Sequence, residues 1–298
     1  MAETVSVRPV RASVRPVLRR LRHNSAVRAV ALPLYRANAR LHPGPPPRVL
    51  ANSLPKSGTH LVTALLDRLP DMRYSGHHLT AYDVTRNGTT DWTALRRRLA
   101  SVRTGQYVSA HLPAWPELFE MLGELGYRCL FAVRDPRDAA VSDMHYIMRF
   151  PQHPLHDRLR AMPSDDERLT AVITGMGGER AGLPLLESMP ERLDAYLGWL
   201  GAPATRPVRF ERLVGSRGGG DAGTQHREIA EIAQHVGRPL TPAQFAEVAA
   251  AVWSPGSSTF RRGAIGDWVE HFTDEHRALV ARLAGRQLAA LGYEVDPR

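Results

Sequence analysis

Apolar positions follow two regimes along the chain. Up to residue 47 they recur at helical spacing: Val14, Leu18 and Leu21 share one face, with Arg15, Arg19 and Arg22 on another, and Val27, Val30 and Leu34 repeat the pattern. The segment closes on His42-Pro43-Gly44-Pro45-Pro46-Pro47, a stiff linker. From residue 48 short apolar strands alternate with helical stretches. Strands are predicted over 48–53, 107–110, 128–133 and, briefly, 208–210. Helices are predicted over 59–69, 115–125, 138–149, 191–200, 225–236, 242–252 and 274–291. The near-continuous apolar run at 128–133 suits a strand buried on both faces. Strand–helix alternation predicts an α/β protein with a parallel sheet covered on both sides. Residues 75–91 and 150–190 read as loops, the second long enough to be a lid over a substrate. Gly215–Gly223 reads as an exposed flexible loop. The expected organisation is a basic helical extension and linker over 1–47, then one domain over 48–298.

Composition narrows the class. The 298 residues are 43% hydrophobic, enough for one sizeable core. The formal charge of +9 is concentrated at the start: residues 1–40 carry nine arginines against one acid, Glu3, and account for nearly all of the excess. Overall basicity is therefore no argument for nucleic-acid binding by the body. The N-terminal segment reads as helices packed on the body or, alternatively, as a peripheral contact with an anionic membrane through residues 1–40. No apolar run is long enough for a membrane span, and the expected location is the cytoplasm. The one cysteine, Cys129, lies inside an apolar run and reads as a buried structural thiol. No His/Cys spacing typical of a metal site is present, so no metal is expected.

Three segments carry candidate phosphate chemistry. The strand 48–53 enters Leu54-Pro55-Lys56-Ser57-Gly58-Thr59-His60 and then a helix. A tight loop before a helix N-terminus offers unpaired backbone N–H groups to an anion, Gly58 permits close backbone approach, and Lys56, Ser57 and Thr59 add charge and hydroxyls. The loop is not a Walker A sequence. On its own it reads equally as a capped helix start with a solvated lysine. The strand 128–133 ends in Arg134-Asp135-Pro136-Arg137-Asp138, with Ser142 one turn on; an arginine at a strand's carboxyl end suits a phosphate fork, with Asp138 expected to cap the helix. Before the last helix comes Arg261-Arg262-Gly263-Ala264-Ile265-Gly266-Asp267-Trp268, two cations beside glycines that can bracket an anion. Among 13 histidines, His111 stands apart because it too ends a strand, before Leu112-Pro113.

These segments, in this order, resemble the cytosolic-type family of sulfotransferases that use 3′-phosphoadenosine-5′-phosphosulfate (PAPS). The resemblance spans about residues 48–298. It implies a P-loop-containing nucleoside triphosphate hydrolase-like three-layer fold with a central parallel sheet flanked by helices. By the same likeness Lys56, Ser57, Gly58, Thr59 and His60 would hold the 5′-phosphosulfate, Lys56 supporting the leaving phosphate. Arg134, Ser142, Arg261, Arg262 and Gly263 would hold the 3′-phosphate, with Arg262 where the family has lysine. Phe210 would lie near the adenine, Phe245 being a looser candidate, and His111 would be the general base. The implied reaction moves a sulfuryl group from PAPS to a hydroxyl or amine of a small-molecule acceptor and releases adenosine 3′,5′-bisphosphate. Leu61 replaces the tryptophan that stacks on adenine in the family, and Asp143 and Met144 replace an aromatic pair, a departure on the acceptor side. His60, His77 and His78 are weaker candidates for the acceptor side. The competing readings are a nucleotide-dependent kinase on the same sheet topology and a basic membrane- or nucleic-acid-binding protein.

Overall fold

The computed structural model describes residues 44–180, 182–253 and 261–295. The expectations for residues 1–43, including the basic helices and membrane contact, lie outside the described residues. Five parallel strands form the central sheet: β1 (Arg48–Ser53), β2 (Arg73–Thr80), β3 (Gln106–His111), β4 (Tyr127–Val133) and β5 (Thr205–Arg209), in the order β2-β3-β1-β4-β5. β1 lies at the centre, with Leu50 paired to Val108 of β3 and to Cys129 of β4.

Alternation along each strand divides the core in two. Leu50, Val108, Cys129, Phe131 and Val133 face one layer, which contains α2 (Trp92–Ala100), α3 (Pro116–Glu124), α4 (Pro136–Arg149), α5 (Asp165–Thr174), α6 (Met189–Leu197) and α9 (Asp274–Ala290). Val49, Ala51, Tyr107, Leu130, Ala132 and Val208 face the other, formed by α1 (Thr59–Leu66), α7 (Ala222–His235) and α8 (Pro242–Val252). This is the three-layer α/β architecture expected from the strand–helix alternation. Cys129 is buried, as its apolar neighbours imply. Among the described residues no helix is long and apolar enough to cross a membrane.

The structure corrects four local readings. Residues 75–91 are not a loop: β2 occupies Arg73–Thr80 at the sheet edge, and a helical turn (Ala81–Val84) and a small hairpin (Thr85–Arg86 with Thr89–Thr90) follow. The edge position and a register shift between Tyr74 and His78 explain why no clean alternation marks β2. Residues 150–190 contain a short helix (His156–Arg160), α5 and a hairpin (Met176–Arg180 with Leu183–Leu186). Ser164 caps α5 by accepting from the Glu167 N–H, and Asp165, Asp166 and Glu167 fill its first turn, a start signal readable in the sequence. The glycine stretch 215–223 is ordered where it matters: Ser216–Gly218 is a 3-10 turn, Gly218 is buried, and its carbonyl accepts from the Ile265 N–H at 2.9 Å. Helix α4 is capped by Asp135, which accepts from the Arg137 N–H, and not by Asp138, whose carboxylate is used elsewhere. Helix α2, capped by Asp91, is a further element that the apolar pattern did not single out.

Phe131 is fully buried at the middle of β4, stacked between Tyr196 and Trp199 with ring centroids 6.4 and 6.0 Å away. Its removal would leave a cavity against the central strand. Phe131→Ala is expected to lower the unfolding free energy by about 3–5 kcal/mol, read from the midpoint of a urea transition at unchanged slope.

Candidate active site

In a wholly parallel sheet the carboxyl ends of all strands meet along one edge. The loop 54–58 leaves β1 there, His111 ends β3, Arg134 follows β4 and Phe210 follows β5. The sequence candidates from four strands are thus drawn into one crevice by topology alone.

The loop is shaped for close approach. Lys56 has a left-handed backbone (φ 66°), unusual for a residue with a side chain, and so does Gly58 (φ 99°). A Cβ on Gly58 would stand 3.0 Å from the Phe210 ring. No side chain caps the start of α1, and the Leu61 and Val62 N–H groups both return to the Gly58 carbonyl, at 2.9 and 3.2 Å. The Lys56 ammonium sits 4.0 Å above the Tyr146 ring. Burial, with Arg134, Arg261 and Arg149 nearby, pushes its pKa down to about 8, and Asp143 acts in the opposite sense. Thr59 Oγ1 lies 2.6 Å from Ser53 Oγ. His60, one residue on, is exposed, and Leu61 is buried in the second core layer.

His111 is fixed by β1. Its Nδ1 lies 2.9 Å from the Ser53 carbonyl oxygen and 3.2 Å from Ser53 Oγ. A carbonyl only accepts, so Nδ1 carries the proton and Nε2 is left as the basic nitrogen. Burial, followed by the Lys56 charge, pulls the imidazole pKa below its ordinary value, keeping the ring neutral near pH 7. Asn52 braces the next residue: its amide donates to the Leu112 carbonyl (2.8 Å) and its oxygen accepts from the Leu112 N–H (2.9 Å). The Trp199 indole donates to the same carbonyl at 2.9 Å. His78 meets the His111 ring edge-on, with centroids 5.0 Å apart, and its Nδ1 is 2.9 Å from Ser109 Oγ.

Arg134 is buried and stacks on Phe210, its guanidinium carbon 4.3 Å from the ring centroid. It donates to the Ala264 carbonyl at 2.7 Å and lies 3.4 Å from Asp138 Oδ2. Asp138 is the organiser: its two oxygens accept the Gly266 N–H (3.0 Å) and the Trp268 N–H (2.9 Å), groups up to 130 residues away in sequence. It therefore docks the segment 261–268 onto α4 and Arg134. Behind it the Arg137 guanidinium forks onto Asp135 and stacks 4.1 Å from the Trp268 ring.

The sequence candidates separate into two groups. Lys56, Arg134 and Arg261 lie within electrostatic reach of one another, and Ser57 Oγ, Arg134 Nε and Arg261 Nε are buried without a hydrogen-bond partner among the described residues. Buried donors in this state fit a multiply charged, oxygen-rich ligand such as a phosphate. Arg262, by contrast, is half exposed and forks onto Glu270 while also reaching Asp267. Gly263 (φ 63°) bears the turn between them, and Ser142 is half-buried on α4. Phe210 is buried between Gly58 and Arg134, a platform for the arginine. Phe245 packs on the second core layer, edge-on to His226 at 5.0 Å. Ser53, Asn52, Asp138 and Asp143 were not singled out from sequence as structural holders of the site; each acts through a partner distant in the chain.

No family model matches this sequence, and no curated protein matches it. Solved structures do match. Mouse sulfotransferase SULT7A1 complexed with PAP superposes with a TM-score of 0.57 at 16% identity, over 86% of this chain and 89% of the other. Retinol dehydratase in complex with androsterone and the inactive cofactor PAP gives 0.51 at 16% identity, over 86% and 85%. Retinol dehydratase with retinol and PAP gives 0.50 at the same identity and coverage. At that identity the likeness is one of architecture: the described part of this chain has the fold of these sulfotransferases.

Proposed function

We propose that residues 48–298 form a PAPS-dependent sulfotransferase acting on a hydroxyl or amine of a small molecule. The observation that carries the proposal is the convergence of Lys56, His111 and Arg134, from three strand ends, around orphaned buried donors. The structural neighbours support it, since each was solved with PAP, and retinol dehydratase also with androsterone or retinol.

PAPS is here a substrate, and the chain's task is to hold it and move one proton. The tight turn that enters α1, with the orphaned Ser57 hydroxyl and Thr59, suits the 5′-phosphate. Arg134, Arg261 and the backbone at Gly263 suit the 3′-phosphate, and Ser142, two turns along α4 from Asp135, is the further candidate for it. His111 Nε2 accepts the proton of the acceptor group as its oxygen or nitrogen attacks sulfur, while Nδ1–H stays anchored on Ser53. Lys56 neutralises charge growing on the oxygen that leaves with the phosphate. The acceptor proton ends on His111, and the sulfur–oxygen bond to the phosphate breaks as the new one forms.

His111→Ala is expected to lower labelled-sulfur transfer from PAPS by about 10²–10⁴-fold while PAP binding, measured by calorimetry, is kept. In the unsubstituted protein the acid limb of transfer should fall below the ordinary imidazole pKa, because burial depresses His111. Transfer should fall again above about pH 8 as Lys56 loses its proton. A pH-independent rate would sink the base assignment, and no PAP binding at all would sink the whole reading.

The two clamp cations should behave differently. Arg134→Ala removes a buried fork and is expected to weaken PAP binding by about 10–100-fold, the worth of one charged hydrogen bond. Arg262→Ala should change PAP affinity by less than about threefold, because its guanidinium is already engaged by Glu270. Equal losses in the same titration would mean that the segment 261–263 rearranges on binding.

A further inference from the structure

Helix α4 carries three groups that face the Lys56 loop. Tyr146 lies under the ammonium, and Asp143 stands one turn earlier on the same face of the helix. Arg149, at the end of α4, is exposed but close enough to repel Lys56. Asp143 is buried and lines a half-open pocket together with Pro55, Ser57 and Arg134. Its Oδ2 accepts from Arg192 of α6 at 3.0 Å. The other end of the Arg192 guanidinium donates to the Val172 carbonyl at 2.7 Å, tying α5, α6 and α4 together.

Among the described residues the other ionisable groups that act on Lys56 are positive or histidine: Arg134 from the end of β4, Arg261 from the C-terminal segment, Arg149 from α4, His111 from β3, and His153, which follows α4 and lies edge-on to Tyr146. A lysine so placed is pressed towards its neutral form by burial and by like charge. Neutral, it would offer nothing to a leaving phosphate. We propose that Asp143 is the counter-charge that keeps Lys56 cationic and aimed, and that Arg192 is the positioning residue that holds Asp143 under the loop. The role rests on the reading of Lys56 as the leaving-group cation. It deepens that reading by placing the control of the lysine in an ion pair between α4 and α6. The signs agree: among the described residues that act on Lys56, Asp143 opposes the fall of its pKa and the arginines add to it.

Arg192 bonds the carboxylate whose charge also acts on Lys56, and this gives the two residues opposite signatures. Loss of Asp143 removes the stabiliser, so Lys56 deprotonates at lower pH. Loss of Arg192 frees the whole carboxylate charge for Lys56, so it deprotonates at higher pH. A merely structural ion pair would give both variants the same change.

The test needs no activity. The full chain, without donor, is labelled with trace acetic anhydride between about pH 6 and about pH 10, and acylation of the Lys56 peptide is followed by mass spectrometry. The unsubstituted protein should show a midpoint near pH 8. Asp143→Asn should move it down by about one pH unit, Arg192→Gln should move it up, and Asp143→Glu and Arg192→Lys should stay near the unsubstituted value. An unchanged midpoint in Asp143→Asn, or shifts of the same sign in Asp143→Asn and Arg192→Gln, overturns the proposal. If Asp143→Asn does not fold, the rise in Arg192→Gln against no change in Arg192→Lys decides it. PAP binding and sulfur transfer are measured in parallel. Shifted midpoints without either would refute the sulfotransferase reading and leave the Asp143–Lys56 coupling standing.

Discussion

Strand direction is the constraint on which the site depends. Because all five strands are parallel, each delivers its last residue to the same edge of the sheet, and β1, in the middle, is flanked by the strands that deliver His111 and Arg134. An antiparallel neighbour would send one of these residues to the opposite edge, about five residues' rise away. The burial of β1, β3 and β4 on both faces makes that geometry stiff, and the side chains of Ser53 and Asn52 convert the stiffness into fixed positions for His111 and Leu112.

Gathering cations at one edge costs free energy, and the protein offsets that cost with a few buried acids. Asp138 faces Arg134 and two backbone amides, which draws the C-terminal segment to the sheet although the fold itself does not require it there. Burial raises the Asp138 pKa while Arg134 opposes the rise, the balance expected of a carboxylate desolvated for a structural purpose. Asp267 answers Arg261 and Arg262 in the same way. Asp143, on α4, acts on Lys56 in the same sense. The positive charge remaining after these pairings is the part a phosphate would meet.

The segment 150–190 shows how an irregular sequence is still held. Arg158 donates to the Gly177 carbonyl, Arg168 to the Leu159 and Met162 carbonyls, and Arg192 to the Val172 carbonyl. These guanidinium groups tie the carbonyls of successive short elements together. This gives the segment a defined shape, and its His153 lies edge-on to Tyr146, the ring beneath Lys56.

The sequence by itself determined the α/β layering, because buried parallel strands read as continuous apolar runs and their covering helices as amphipathic ones. It also marked Lys56, His111, Arg134 and Arg261, since each follows a strand or precedes a helix with recognisable neighbours. It did not mark β2, an edge strand with a shifted register and two polar histidines, or α5, whose cap was present but whose surroundings looked like loop. Only the tertiary structure decided what each side chain does. Asp135 and Asp138 lie three residues apart and look interchangeable as caps; one takes the helix start and the other reaches segment 261–268, because the second is buried where those amides arrive. Arg261 and Arg262 are adjacent cations that both reach Asp267, yet only Arg262 also forks onto Glu270. Hydrogen bonds and ion pairs between residues a hundred positions apart depend on distance and burial, and those quantities exist only once the sheet has brought the segments together.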